Sequence, residues 1–321
     1  MSAIWDTQKI REIEFPKTGT TVEKLNFILN YTLLASSCSN TQPWLFQVVN
    51  EAIFLYANLS HTLPTVDPHH RELIISCGMA LFNLRLALRH FGYKDEIKTF
   101  PDPSRPDVLA QIQISEPILA STDEQMLFDA IPNRHINHKK FQDWNVPQSL
   151  LSWLKVDAEQ ERTWLYVVKS NTARQAIAEL VVQSLDRQWL VGSHYLQMTD
   201  LNFPCELAQG FYPDINRQLV TQSPVIAVLG TKSDLPVNWL NTGQALERIL
   251  LRGQAVGLTA SFLNQVIRLP SLRTQLNNLI YEQGYPQILL RLGFDREHNT
   301  PGAQHAASEL KIGAREKRFF G

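Results

Sequence analysis

Hydrophobic and polar positions repeat along this chain with two periods, one typical of helices and the other of strands. Apolar residues three and four positions apart predict helices over about 20–34, 70–91, 122–131, 147–154, 172–189 and 240–256. Short apolar runs rich in β-branched and aromatic residues predict strands at 44–49, 52–57, 164–168, 224–229 and 287–292. The first two strands are separated only by Asn50-Glu51, which predicts a β-hairpin. Alternating helices and short strands favour an α+β fold.

The two longest helical patterns contain a hidden repeat. Residues 78–92 and 243–257 each begin and end with glycine and share apolar residues between, at matching positions 165 residues apart. The terminal glycines, Gly92 and Gly257, are placed to end their helices, as glycine commonly does. Because this offset is close to half the length of the chain, we interpret the pattern as an internal duplication.

Composition and charge exclude several function classes. The chain has 321 residues, of which 44% are hydrophobic and 19% charged, with a formal net charge of −1. This near-balance gives no general attraction to nucleic acid or anionic membranes. No apolar run reaches the ~20 residues that span a bilayer, and no signal peptide is recognisable. Three scattered cysteines, Cys38, Cys77 and Cys205, predict no disulfide framework, which favours a reducing, cytoplasmic location.

The most informative stretch is segment 35–48, whose first part, 35–43, is polar. Ser37, Asn40 and Gln42 are among its short hydrogen-bonding side chains, and Pro43 ends any preceding helix. Such residues also form ordinary surface turns, so composition alone does not assign a ligand. Cys38 is also a candidate nucleophile in this segment, but local spacing places no base beside it.

The order of these residues resembles the FMN-binding loop of nitroreductase-like flavoproteins. The matching positions are Ala35-x-Ser37-x-x-Asn40-x-Gln42-Pro43-Trp44-x-Phe46, with Ser36 where the family usually has proline. Further motifs resemble the mycobacterial-type Acg subfamily: Leu63-Pro64-x-x-Asp67-Pro68, Arg71-Glu72-Leu73-x-x-Ser76-Cys77-Gly78 and Trp239-Leu240-x-x-Gly243-Gln244-Ala245-Leu246-Glu247-Arg248. The resemblance therefore extends over nearly the whole chain.

The resemblance implies an α+β fold with nitroreductase-like three-layer α/β/α architecture, in two tandem pseudo-symmetric repeats resembling a fused dimer. We expect a first half at 1–118 and a second half at 119–321, with an insertion at about 192–217. The Pro-rich segment 100–106 and its apolar neighbour 112–114 are expected to mark the junction between the halves. A single chain would then mimic the family's homodimer, and the sequence leaves further dimerisation open.

The resemblance also implies the chemistry. FMN is the expected cofactor and NAD(P)H the expected electron donor, with a nitro-aromatic, quinone or similar small molecule as acceptor. No catalytic side chain is nominated, because the cofactor carries the hydride. No metal site is expected either, since adjacent His69 and His70 do not face one point on a helix. The alternatives are an FMN-binding or storage protein with little or no turnover, and an apo structural descendant.

On this resemblance, the candidate cofactor-binding residues are Ser37, Asn40, Gln42, Arg134, His138, Lys139, Gly257, Leu258, Asn264 and Gln265. Ser37 and Asn40 are the expected flavin contacts, whereas Gln42 is expected to brace the loop. In segment 133–141, Arg134 takes the position of a phosphate-binding arginine, and His138 or Lys139 that of a later arginine. A solvated basic turn is the alternative interpretation of this segment.

Segment 257–265 follows the second long helix, where relatives approach flavin N5, and Asn264 or Gln265 is the expected N5 neighbour. A plain helix end and loop is the alternative here. The family's C-terminal phosphate arginines are absent after Arg291, and only Lys311 or Arg315 could replace them. Because the second half lacks a Ser-x-x-Asn-x-Gln-Pro-Trp loop, we expect one FMN per chain.

Overall fold

The computed structural model mixes helices with antiparallel sheets, which confirms the α+β class. It describes residues 10–37, 40–62, 67–137, 139–190, 213–280 and 283–294. The α-helices are α1 (Thr21–Ile28), α2 (Arg71–His90), α3 (Thr122–Ala130), α4 (Gln148–Gln160), α5 (Asn171–Leu190), α6 (Pro213–Thr221), α7 (Pro236–Ala255), α8 (Gln265–Arg268) and α9 (Pro270–Ile280). The strands are β1 (Trp44–Val49), β2 (Ala52–Ala57), β3 (Tyr93–Thr99), β4 (Val108–Pro117), β5 (Trp164–Val167), β6 (Val225–Thr231), β7 (Leu258–Phe262) and β8 (Tyr285–Phe294).

Local capping signals fix where the helices begin. Thr20 and Glu23 form the predicted capping box of α1, whose chain continues as a 3₁₀ helix at Leu29–Leu34. The capping box of α3 is formed by Ser121 and Glu124, so that helix is capped one residue earlier than the predicted start at Thr122. These reciprocal bonds satisfy backbone N–H groups that the first helical turn leaves unpaired.

The strands form two four-stranded antiparallel sheets with the same internal order. The first sheet runs β1-β2-β4-β3 and the second β5-β6-β8-β7. The predicted hairpin is confirmed, with Trp44 opposite Ala57 and Val49 opposite Ala52. In both sheets the third strand in sequence lies at an edge and the fourth lies inside, so the two sheets share one connectivity.

The expected junction at 100–106 is wrong. This segment connects β3 to β4 within the first sheet, and β4 is an inner strand between β2 and β3. Buried Leu109, Ala110 and Ile112 hold β4 in the core, so the apolar run at 112–114 belongs to a long central strand. Prolines indicated a connection here, but periodicity alone could not tell which strands it joins.

Helices α2 and α7 cross at the centre of the core, and they make closest contact at the two helix glycines. A Cβ added to Gly78 would lie 2.2 Å from the carbonyl oxygen of Leu240, and one added to Gly243 would lie 1.9 Å from that of Ile75. Position 75 corresponds to 240, and 78 to 243, at the offset read from the sequence. The contact is therefore reciprocal, as across a two-fold axis.

Helix α2 is long and apolar enough to cross a membrane on length and composition alone, but 83% of its most apolar window is buried inside the protein. The buried core helix of a soluble protein meets the same criterion of length and apolar composition.

A buried polar network joins the start of α2 to the second sheet. Arg71 donates to the carbonyl oxygen of Gln287 at 2.7 Å, and Arg268 binds both carboxylate oxygens of Glu72 at 2.9 Å. Asp234 accepts from Arg273, Gln287 and Trp239 at 2.7–3.0 Å. The ion pair between Glu72 and Arg268 directly connects distant parts of the chain.

Asp234 gives this network a pH dependence. Burial disfavours its charged form, but the bonds from Arg273, Gln287 and Trp239 outweigh that effect and lower the pKa to about 2. Since the carboxyl of an unfolded chain titrates near 3.9, the ionised group stabilises the fold above that pH, and this contribution is lost as pH falls toward 2.

We expect Asp234→Asn to lower the free energy of unfolding by about 1–2 kcal/mol at pH 7, allowing for partial exposure of the carboxylate. Urea unfolding of both proteins should show about half that difference at pH 3, because wild-type Asp234 has begun to lose its advantage. An equal difference at both pH values would instead indicate lost packing.

Candidate functional site

The segment 35–43 is a braced loop between the Leu29–Leu34 helix and β1. The backbone N–H of Gln42 donates to Ser37 Oγ at 2.9 Å, and its side-chain amide donates to the carbonyl of Leu33 at 3.0 Å. Asn40 and Gln42 both adopt left-handed backbone conformations, with φ of 53° and 44°. Cys38 and Ser39 lie outside the described residues. Ser37 and Asn40 are both partly buried.

The turn after α3 lies along the free edge of the second sheet. Ile136 forms a parallel bridge with Ala260 of β7, and Asn137 N–H donates to the Ala260 carbonyl at 2.8 Å. Asn137 Oδ1 accepts from the backbone N–H of Lys139 at 2.5 Å, which shapes the turn. The Lys139 side chain is exposed, and His138 lies outside the described residues. Asn137 is fully buried, yet its side-chain nitrogen has no hydrogen-bond partner among the described residues.

Arg134 joins the loop to this turn. Its Nη2 donates to the carbonyl of Leu34 at 3.2 Å, and its Nε lies 3.4 Å from Oε1 of Glu247 on α7. Asn83 on α2 completes the group when its amide is oriented to satisfy both neighbours. In that orientation it donates to Glu247 Oε1 and accepts from Ala35 N–H, both at 3.2 Å. A loop and a turn one hundred residues apart in sequence thus share one buried polar cluster, which we call the Arg134 cluster: Asn83, Arg134 and Glu247.

Asn83 and Glu247 were not among the candidate residues predicted from the sequence, and Glu247 is the charged one of the two. Its side chain is fully buried, and burial raises the pKa of its carboxyl to about 7, against the opposing effects of Arg134 and Asn83. Its Oε2 has no hydrogen-bond partner among the described residues. Glu247 lies one helical turn after Gly243, on the face that meets α2. A carboxylate on the face of a helix that packs against another helix was the sequence signal that could have identified Glu247.

The candidates in 257–265 do not form a single loop. Residues 258–262 are strand β7, which lies beside β8 and buries Leu258 and Ala260. Gly257, with φ of 77°, ends α7 at one end of this strand, while Asn264 and Gln265 lie at the other. Five strand residues span roughly 17 Å, so Gly257 and Leu258 lie well apart from Asn264 and Gln265. Asn264 or Gln265 as the neighbour of flavin N5 stays a prediction.

Asn264 and Gln265 differ in whether their side-chain oxygens are already hydrogen-bonded within the protein. Asn264 Oδ1 accepts from the backbone N–H of Leu289 at 3.1 Å, which ties α8 to β8. Gln265 is buried, and its Oε1 has no partner among the described residues. Of these two candidates, Gln265 therefore retains more capacity to bind a ligand.

Other candidate chemistry gains no support from the described residues. Cys77 is fully buried and burial raises the pKa of its thiol, which confirms it as a core residue. Nδ1 of His61 lies 2.7 Å from the Thr41 carbonyl oxygen. Within the described ranges, no group of three or more His, Cys, Asp or Glu side chains could hold a metal. Cys205 lies outside those ranges.

An open cavity of about 720 Å³ adjoins this region. Its walls come from α3, Asn133 and the last turn of α7 at Gln254 and Ala255. Ser37 and the three residues of the Arg134 cluster are not among its lining residues, so the cavity is separate from that cluster. Space for a small molecule therefore lies next to the turn.

The chain has relatives that match most of its length. It is 26% identical over 294 residues to a Mycobacterium tuberculosis protein named "Putative NAD(P)H nitroreductase Rv3131", covering 85% of each chain. It is 24% identical over 314 residues to "Putative NAD(P)H nitroreductase acg" of the same species, covering 89% of this chain and 93% of the relative. The resemblance to Acg-type, nitroreductase-like proteins is confirmed. No family model matches the chain.

Solved structures resemble part of the chain. An NADH dehydrogenase/NAD(P)H nitroreductase from Bacteroides thetaiotaomicron, described as putative, is 12% identical with a TM-score of 0.43, over 60% of this chain and 98% of that one. A nitroreductase with bound FMN from Bacteroides fragilis is 13% identical with a TM-score of 0.40, over 60% of this chain and 98% of that one.

Proposed function

We propose that this protein is an FMN-dependent oxidoreductase of the nitroreductase type, with one flavin site between two related halves, 1–118 and 119–321. The hydrogen bond from Arg134 to the carbonyl of Leu34 carries this proposal, because Leu34 immediately precedes the first half's loop and Arg134 begins the second half's turn. The curated relatives, named NAD(P)H nitroreductases, support the same activity. Two like halves would supply in one chain what a homodimer supplies in two.

The side chains at this seam fit the cofactor. An isoalloxazine edge requires hydrogen-bond donors and acceptors, which Ser37 and Asn40 offer. The side-chain nitrogen of Asn137, which has no partner among the described residues, would add a donor. A phosphate requires cations, and Arg134 with exposed Lys139 would provide them. When bound, FMN would supply the redox chemistry, accepting a hydride from NAD(P)H and reducing a nitro-aromatic or quinone.

The corresponding seam on the other side has a short connection and an arginine that is bound by two carboxylates. Only residues 161–163 separate α4 from β5, whereas 35–43 precede β1. Arg248, which corresponds to Asn83 at the shared offset, binds Asp157 at 3.0 Å and Glu161 at 3.3 Å. Without a long polar loop, and with its arginine already neutralised, this second seam lacks a place for flavin. We therefore expect one FMN per chain.

We expect the purified protein to bind FMN at one equivalent, and anaerobic NADPH or NADH to bleach the bound flavin absorbance near 450 nm on the order of seconds. Adding a quinone or nitro-aromatic should restore the colour. Flavin-loaded protein that oxidises neither nicotinamide with any such acceptor would overturn the oxidoreductase proposal and favour FMN binding or storage. Two equivalents of FMN would contradict the single site.

A further inference from the structure

The cation expected to bind phosphate already has a counter-charge inside the protein. Arg134 is buried, and Glu247 lies 3.4 Å from its Nε. An anion arriving at Arg134 would place two negative groups on one buried cation, which is costly in a low-dielectric environment. Either the ligand avoids Arg134, or Glu247 gives up its charge.

The surroundings of Glu247 favour loss of that charge by protonation of its carboxylate. Its carboxylate receives one long ion-pair contact and one amide hydrogen bond, and Oε2 receives none from the described residues. The buried carboxylate of Glu72, by comparison, is held more fully, because Nε and Nη2 of Arg268 each donate to one of its two oxygens. An incompletely solvated buried carboxylate binds a proton more readily than a fully bonded one.

The other charged groups near Glu247 form ion pairs with other residues. Arg85 on α2 binds Glu161, and Arg248 on α7 binds both Glu161 and Asp157. On the 3₁₀ helix, burial raises the pKa of Tyr31, which stays neutral. His135 lies next to Arg134 on the turn. Arg134 is thus the one cation in direct contact with Glu247 among the described residues.

We propose that Glu247 takes up a proton at Oε2 when the FMN phosphate binds to Arg134, so that the arginine exchanges an internal counter-ion for the ligand. This inference rests on the proposed FMN function and adds a proton to its binding equilibrium. The proton comes from solvent and no bond of the cofactor changes. Because burial raises the pKa of Glu247 to about 7, this proton uptake costs little free energy near neutral pH.

FMN affinity, followed by quenching of flavin fluorescence, tests the proposal between pH 7 and 8.5. For wild type, we expect the dissociation constant to rise at least fivefold over this range, below the limit of tenfold per pH unit for one proton. Glu247→Gln, which is permanently neutral, should keep the tight binding and lose the slope. Riboflavin, which lacks the phosphate, should show no slope with either protein.

Glu161→Gln is the matched control, because it removes a buried carboxylate of the second seam and should leave the slope as in wild type. The phosphate is present with every variant, so its titration cancels in the comparison. Equal slopes for wild type and Glu247→Gln would overturn the inference while leaving the proposed function intact. Failure of both proteins to bind FMN at any pH would overturn both.

Calorimetry gives a second readout should Glu247→Gln not fold. FMN binding to wild type at pH 8, measured in two buffers of different ionisation enthalpy, should show uptake of a fraction of a proton. The phosphate and an ordinary histidine are already deprotonated at that pH. Binding heats that do not depend on the buffer would overturn the inference.

Discussion

Gly243→Ala should prevent stable folding or lower the free energy of unfolding by at least about 3 kcal/mol. Helix propensity alone favours alanine over glycine by about 1 kcal/mol, which would stabilise α7. The new Cβ, however, would lie 1.9 Å from the carbonyl oxygen of Ile75, an atom of the opposing helix backbone. Because backbone cannot rotate away as a side chain can, the two central helices must separate, and the clash outweighs the propensity.

Gly257→Ala is the control for this prediction. Its φ of 77° costs a Cβ about 1 kcal/mol, but no atom lies within 4 Å of the added carbon. Denaturant unfolding of both variants should therefore separate a helix clash from simple backbone strain. If Gly243→Ala proves no less stable than Gly257→Ala, the close contact of α2 and α7 is not what holds the core.

Local signals predicted most of the elements. Capping boxes, terminal glycines and the turn at Asn50-Glu51 act within a few residues, so α1, α2, α7 and the first hairpin could be read from the sequence. The 165-residue offset identified the two glycines that contact each other, because close packing of two helices leaves room only for hydrogen at that point.

Elements that depend on distant partners were not predicted. Strand β3 is mostly charged and polar and lies at the sheet edge, and β7 is short, so neither has a strong apolar run. The pairing of Ile136 with Ala260, and of Arg134 with Glu247, joins residues more than one hundred positions apart. The sequence pattern within one segment does not indicate which distant carboxylate its arginine contacts.

Arg134→Met should lower FMN affinity by about 100-fold, or about 3 kcal/mol, because a charged arginine fork is the strongest phosphate contact available at the seam. Methionine has nearly the same reach and leaves the apolar stem packed. Although the change leaves Glu247 without its cation, that carboxyl has a pKa of about 7 and can protonate, which limits the loss of stability. Riboflavin affinity should change much less, because it carries no phosphate.

Arg248→Met makes the same chemical change in the second seam. We expect it to weaken the network with Asp157 and Glu161, and so to lower the unfolding midpoint, while FMN still binds at one equivalent with near wild-type affinity. FMN and riboflavin titrations of the two variants, with thermal unfolding of each, measure these effects separately. If Arg134→Met loses no affinity, or Arg248→Met loses as much, the flavin does not lie at the Arg134 cluster, because only a site there distinguishes the two arginines.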